Sequence, residues 1–213
     1  MTATLYSYWR STAAYRVRIA LNLKGVAYDV HPVDLAPSVR ENRGEQYAAR
    51  NPQQLVPFFE DDRVSLGQSM AILEYLEERY PTPPLLPEDA QRRGDIRAFS
   101  QHIACDVHPL NNVSVLTYLS NQLDVDDDAR SAWYTHWVHR VFRSAEAEIA
   151  RHDGPFVFGE SLTMADVLLV PQVFNAHRFG VPMEAFPHIL AVESHCLGTD
   201  AFDKARPENQ PDA

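Results

Sequence analysis

Two β-branched and aromatic runs, Thr4 to Tyr8 and Ala27 to Val33, bracket a stretch from Ala13 to Lys24 whose apolar residues recur at helical spacing until Gly25 ends it. This pattern predicts a βαβ unit. The Arg- and Glu-rich stretch from Val39 to Arg50 reads as a loose helix. Pro57 to Asp61 and Arg63 to Leu66 read as a short hairpin around Asp61-Asp62, and Gln68 to Tyr80 as a further helix. Tyr80 to Pro87 then holds four prolines in eight residues, which neither a helix nor a central strand accommodates. Beyond it the pattern is helical throughout: Asp89 to Leu119 in one long element around Pro109, Ala129 to His152, Thr163 to Asn175, and a shorter element from His188 to Leu197. Thr163-Met-Ala-Asp166 places an N-cap residue three positions before an acidic side chain, just ahead of an apolar run, which is a structural capping signal.

The order βαβ followed by αββα is that of a thioredoxin-like domain, and it aims the first and third helix starts at the same end of the sheet. The expected architecture is α/β plus all-α: a thioredoxin-like domain over residues 1–80, a Pro-rich linker over 81–88, and an all-helical domain over 89–213. With 213 residues, 45% of them hydrophobic, the chain can bury one substantial core or two small ones. Its net charge of −10 repels nucleic acid and anionic membrane, so neither is an expected partner. Cys105 and Cys196 are the two cysteines, far apart, which gives no disulfide framework or CxxC pair and suits a reducing compartment. No charged-then-apolar leader is visible at Met1 to Leu5, and no apolar run approaches the ~20 residues of a membrane helix. The expectation is a cytoplasmic protein.

Against this acidic background the segment from Tyr8 to Leu21 gathers arginines at a helix start. Ser11 and Thr12 are good N-cap residues, and the first-turn N–H groups beyond them carry partial positive charge. Arg10, Arg16 and Arg18 add full charges, so the corner suits a small anionic ligand: a thiolate, a carboxylate or a phosphate. Read alone, the segment also fits an ordinary capped helix with solvated arginines. In Gln53-Gln-Leu-Val56-Pro57, a cis bond before Pro57 would turn the Val56 backbone toward a ligand, although X–Pro statistics favour trans. Gln68-Ser69 opens the next helix and forms a second site of carboxylate size.

Other chemistries find less support. His102, Cys105 and His108 repeat at i, i+3, i+6, and His136 with His139 at i, i+3, but no third and fourth metal ligand is evident, so no metal is expected. Lysine occurs at Lys24, just before Gly25, and at Lys204, in the polar tail, which argues against a buried Schiff-base amine. No Ser-His-Asp order or Gly-rich phosphate loop stands out.

Taken in order, several segments resemble the glutathione S-transferase superfamily and, within it, the zeta class. They are the Arg10-Ser11 opening through Arg16-Val-Arg-Ile-Ala-Leu21, Asn51-Pro-Gln-Gln-Leu-Val-Pro57, Gln68-Ser-x-Ala-Ile, Pro81-Thr-Pro-x-Leu-Leu-Pro87, His108-Pro-Leu-Asn-Asn-Val-Ser114, Leu162-Thr-Met-Ala-Asp166 and Gln210-Pro-Asp212. The resemblance spans nearly the whole chain. It implies glutathione as cofactor, a homodimer, and glutathione-dependent cis–trans isomerisation of a small anionic substrate, a maleyl-type dicarboxylate, in aromatic catabolism.

Carried over by residue, Ser11 resembles the family's catalytic serine, whose hydroxyl hydrogen-bonds the glutathione sulfur. Thr12 stands where a second serine is usual, and Ala13 stands where the motif normally has a cysteine. Arg16, Gln68 and Ser69 fall on the glutathione side. Val56, next to Pro57, resembles the residue whose backbone pairs with the cysteinyl moiety, and Asn42 takes the place of a glycine-carboxylate ligand. His108, Asn112, Val113 and Ser114 match a segment that contributes glutathione and substrate contacts, although His108 replaces a glutamine. Arg178 resembles the substrate-carboxylate arginine, with Arg10 as the second clamp. A solvated helix arginine is the alternative for Arg178. Two other readings stay open: a glutathione transferase or dehalogenase acting on small electrophilic acids, and a noncatalytic glutathione-binding module.

Overall fold

Strand β1 (Ala3–Ser7) pairs in parallel with β2 (Tyr28–Pro32) and antiparallel with β3 (Phe58–Glu60), which pairs antiparallel with β4 (Ser65–Gly67), giving the sheet order β2-β1-β3-β4. The structure is a computed structural model and describes residues 2–36 and 38–213. Met1, part of the segment read for a leader, lies outside them. The pairing direction decides the geometry of this half. β4 runs the same way as β1 and β3 runs against both, so the ends of β1 and β4 and the start of β3 share one edge of the sheet. The register makes this concrete: Tyr6 pairs with Phe58, and Phe58 with Gly67. The chain therefore leaves that edge twice into helices, α1 (Thr12–Leu23) and α3 (Ser69–Arg79), and enters it once through Val56-Pro57.

Helix α1 starts where Ser11, in an extended conformation, accepts the Ala14 N–H on its side-chain oxygen at 3.2 Å. Gly25 stops it with φ near 63°, a conformation glycine adopts without steric cost. Leu5, Ile19, Leu21, Phe59, Ile72 and Leu73 are fully buried, each contributing about 1.5–3 kcal/mol of hydrophobic stabilisation. The Val39–Arg50 stretch resolves into a short 3₁₀ turn (Glu41–Arg43) and α2 (Glu45–Arg50).

Packing divides the chain into two units, residues 1–84 with 198–213, and residues 85–197. The sequence reading assigns 198–213 to the helical half, and the packing instead joins it to the sheet half. Helix α9 (Asp200–Ala205) lies on α1, where Asn22 donates its side-chain amide to the Ala201 carbonyl at 3.0 Å. Sequence periodicity carries no trace of these long-range bonds.

The unit over residues 85–197 contains α4 (Ala90–Gln101), α5 (Val113–Leu123), α6 (Asp127–Ile149), α7 (Met164–Arg178) and α8 (Pro187–Leu197). The single element expected over Asp89 to Leu119 is thus two helices. A π-helical turn (His102–Val107) follows α4 directly, and Pro109, which has no N–H to donate, lies in the turn before Asn112 caps α5. Helix α7 is buried along nearly its whole length, as its continuous apolar composition requires. Its start is the expected capping box: the Asp166 carboxylate accepts the Thr163 N–H at 2.8 Å and the Thr163 hydroxyl at 3.1 Å, while its other oxygen accepts the Val157 N–H at 2.8 Å. No described helix is long and apolar enough to cross a membrane.

Candidate active site

In the sheet unit, three parts of the expected site converge on the edge marked by Tyr6, Phe58 and Gly67. Ser11 leads α1. Its hydroxyl oxygen already accepts a backbone N–H, so the hydroxyl's own proton is the part left for a ligand. Thr12 is buried, Ala13 half-buried and Arg10 exposed, with its guanidinium 4.0 Å from the centre of the Trp9 ring.

The three arginines divide their work, contrary to the expectation that all add charge at the corner. Arg16, 1% exposed, donates to the Ser69 hydroxyl at 3.3 Å and so ties the starts of α1 and α3 together. Arg18 is fully buried and is held by the Ala205 carbonyl at 3.0 Å, the Ser7 hydroxyl at 3.0 Å and the Trp9 carbonyl at 3.1 Å. It is a structural hub. Burial lowers its pKa to about 10, against the attraction of Tyr28, Tyr15, Asp212 and Glu208. Neither buried arginine is solvated, so the ordinary-capped-helix reading fails for them.

Gln68 sits just ahead of α3 with φ of 68°, a left-handed conformation costly for a non-glycine residue, and its side-chain amide donates to the Gln53 oxygen at 2.9 Å. The Val56-Pro57 bond is cis. Val56 is buried with Tyr6, Val33, Tyr47 and Phe58, and the loop before it is fixed by two donors on the Leu55 carbonyl, the Tyr47 hydroxyl at 2.7 Å and the Asn51 amide at 2.8 Å. Asn42 donates its amide to the Gln54 carbonyl at 2.7 Å. Gln53 belongs to the quoted motif, but its pairing with Gln68 needs the fold to be seen.

In the helical unit, His108 lies in the turn after the π-helical segment and donates its backbone N–H to the Ile103 carbonyl at 3.1 Å. Asn112 caps α5 by accepting the Ser114 N–H at 2.9 Å and the Ser114 hydroxyl at 2.8 Å, and Val113 is exposed. Arg178 is the exposed last residue of α7, its guanidinium 5.1 Å from the Phe179 ring centre, and Phe179 in turn stacks on buried Tyr134 at 4.2 Å. Burial raises the Tyr134 pKa, with nearby Arg178 opposing the shift.

One constellation escapes sequence inspection because its members are 42 positions apart. His102 Nε2 lies 2.6 Å from the Ser144 hydroxyl and Nδ1 lies 2.7 Å from the Asp106 carboxylate. Ser144 also donates its hydroxyl to the Val141 carbonyl one turn back at 2.8 Å, and its contact with His102 ties the π-helical turn to α6. Among the described residues no group of three His, Cys, Asp or Glu side chains is placed to hold a metal. Neither Cys105 nor Cys196 is in a disulfide.

Comparison with known proteins agrees with this geometry. Residues 5–84 match the family described as glutathione S-transferase, N-terminal domain. The chain is 46% identical over 209 residues to maleylacetoacetate isomerase of Pseudomonas aeruginosa, covering 98% of this chain and 97% of the relative. It superposes with TM-score 0.95 and 44% identity on the holo structure of a maleylpyruvate isomerase, described as a bacterial glutathione S-transferase of the zeta class, covering 99% of each chain. It also superposes with TM-score 0.89 and 39% identity on maleylacetoacetate isomerase of Anaeromyxobacter dehalogenans with glutathione bound in its active site, covering 100% of this chain and 98% of that one. With its sheet edge, paired helix starts and full-length likeness to these enzymes, the chain belongs to the zeta-class glutathione S-transferase family of maleylacetoacetate and maleylpyruvate isomerases.

Proposed function

We propose that the protein is a glutathione-dependent cis–trans isomerase of a maleyl-type dicarboxylate. The observation that carries the reading is the edge where Ser11 and Ser69 begin two helices, with Arg16 hydrogen-bonded from the first to the second. The residues fit glutathione by their chemistry. Ser11 has a proton to donate to a sulfur, and the α3 start with the neighbouring Arg16 cation suits the carboxylate of the γ-glutamyl end.

Glutathione, when bound, supplies the thiol that adds to the cis double bond and leaves after rotation, so it is not consumed. The protein's task is to favour thiolate and to hold charge. Ser11 donates to the sulfur while the α1 start adds partial positive charge, lowering a thiol pKa from about 8.5. Gln68, Ser69 and Arg16 take the γ-glutamyl carboxylate, the Val56 backbone beside Pro57 pairs with the cysteinyl moiety, and Asn42 meets the glycine end. Thr12 and Ala13 line the sulfur corner. Arg10 and Arg178 grip substrate carboxylates, and His108, Asn112, Val113 and Ser114 contribute further contacts. Family resemblance supports these roles, and it likewise supports a cytoplasmic homodimer, which a sizing column and cell fractionation check.

The test is turnover by the purified protein of maleylacetoacetate, maleylpyruvate and haloacids, each with and without glutathione. Isomerisation of a maleyl compound that needs glutathione but does not consume it is the expected result. Turnover of haloacids alone would give the transferase or dehalogenase reading. Glutathione binding without turnover would give the noncatalytic one.

A further inference from the structure

The C-terminal segment reaches back to the corner that carries Ser11. Asp212 accepts the Trp9 backbone N–H at 2.9 Å across 203 positions of sequence, while the Trp9 carbonyl accepts from buried Arg18 at 3.1 Å. Strand β1 ends at Ser7, so neither bond belongs to the sheet ladder. Both backbone polar groups of Trp9, two positions before Ser11, are held by side chains from elsewhere.

The holder is itself fixed. Arg18 donates to the Ala205 carbonyl as well, Gln210 donates its amide to the Lys204 carbonyl at 3.0 Å and the Arg206 carbonyl at 2.8 Å, and Phe202 and Ala205 are fully buried. Downstream, the Ser11 N–H donates to the Tyr8 carbonyl at 2.9 Å, and the Arg10 guanidinium rests on the Trp9 ring. A displaced Trp9 therefore displaces the Arg10 and Ser11 side chains that follow it. The fit demanded is fine, because catalytic placement errors of about 1 Å cost about a hundredfold in rate.

We propose that Asp212 is a positioning residue for catalysis: through the Trp9 amide it fixes the corner so that the Ser11 hydroxyl and Arg10 meet sulfur and substrate. The inference rests on the isomerase reading above. It assigns Asp212 no contact with either ligand. What the role requires is an acceptor oxygen on the Trp9 N–H, which asparagine also supplies and alanine does not.

The experiment compares wild type, Asp212→Ala and Asp212→Asn in three measurements: isomerase kcat with KM for glutathione, the ultraviolet thiolate absorbance of bound glutathione at fixed pH, and amide exchange at Trp9 without ligand. For Asp212→Ala the expected results are a fall in kcat of at least fivefold, KM for glutathione within about twofold, a smaller thiolate signal and at least tenfold faster Trp9 exchange. Asp212→Asn should stay within about twofold of wild type in every readout. Wild-type kcat and thiolate signal in Asp212→Ala would overturn the proposal, as would equal losses in the two variants. If wild type itself fails to isomerise, the isomerase reading fails, and Trp9 exchange still reports whether Asp212 fixes the corner.

Discussion

Arg16 donates to the Ser69 hydroxyl at 3.3 Å although 53 positions separate them, and this bond joins the N-terminal half of α1 to the first residue of α3, two helices that leave the same edge of the sheet. Both side chains are buried, so the pair is a fixed feature of the edge rather than a surface contact. Ser69→Ala removes the acceptor for Arg16 and, on the proposed reading, one donor to the γ-glutamyl carboxylate. The KM for glutathione should rise about tenfold, equivalent to about 1.4 kcal/mol, while kcat at saturating glutathione changes less than threefold. Steady-state kinetics varying glutathione checks this.

Arg10 and Arg178 are the proposed substrate clamps. Replacing either with alanine should lower kcat/KM for the dicarboxylate by about 1.5–3 kcal/mol, roughly ten- to a hundredfold, with glutathione affinity nearly unchanged. Lysine at position 178 should rescue only part of the loss, because a point charge does not reproduce the guanidinium fork. Equal weakening of glutathione and substrate by Arg178→Ala would remove Arg178 from this role.

Lys24 shows how local sequence misleads about burial. A lysine beside a terminating glycine looks exposed, yet its ammonium is buried 2.5 Å from the Glu77 carboxylate and 2.6 Å from the Pro83 carbonyl. It is an ion-paired structural group. Lys24→Met removes the buried cation beside the Glu77 carboxylate and should cost about 3–5 kcal/mol, whereas Lys24→Met with Glu77→Leu should recover most of that. Urea unfolding of the single and double variants measures both.

Asp166 carries a pH dependence of defined sign. Burial raises its carboxyl pKa to about 6, against the hydrogen bonds from Val157 and Thr163 that lower it. The folded protein therefore binds this proton more tightly than the unfolded chain, whose carboxyl has a pKa of about 3.9. The contribution is fully present below about pH 4 and is lost as pH rises through about 6, amounting to roughly 2–3 kcal/mol. The stability difference between wild type and Asp166→Asn should shrink over that window, and a flat difference would contradict the shift. Asp166→Ala should cost at least about 1 kcal/mol at any pH by removing the reciprocal cap.

What the sequence discloses is what short-range physics writes into it. A β-branched and aromatic run marks β1, Ser11 and Gly25 mark the limits of α1, and Thr163 with Asp166 announces α7, because each signal acts within one turn or one strand. The shared edge is also legible, since strand order and direction follow from the order of elements. Contacts at long range leave no such mark. Arg18 reads as one more charge until its bond to Ala205, 187 positions away, shows it to be a buried hub. The break of the element expected over 89–119 depends on the π-helical turn, whose residues His102 to Val107 look helical by periodicity. The Gln53–Gln68 and Asp212–Trp9 bonds likewise exist only in the folded chain.

The central claim is that Ser11 at the start of α1 activates glutathione for isomerisation. Its most direct test is Ser11→Ala, with kcat for the maleyl substrate measured beside calorimetric glutathione affinity. In Ser11→Ala, kcat should fall by at least a hundredfold while glutathione binds within about threefold of wild type, because the proposed contacts of Gln68, Ser69 and Val56 with the rest of the tripeptide are untouched. Full activity in Ser11→Ala would contradict the account and make Thr12 the first candidate for the sulfur-activating group.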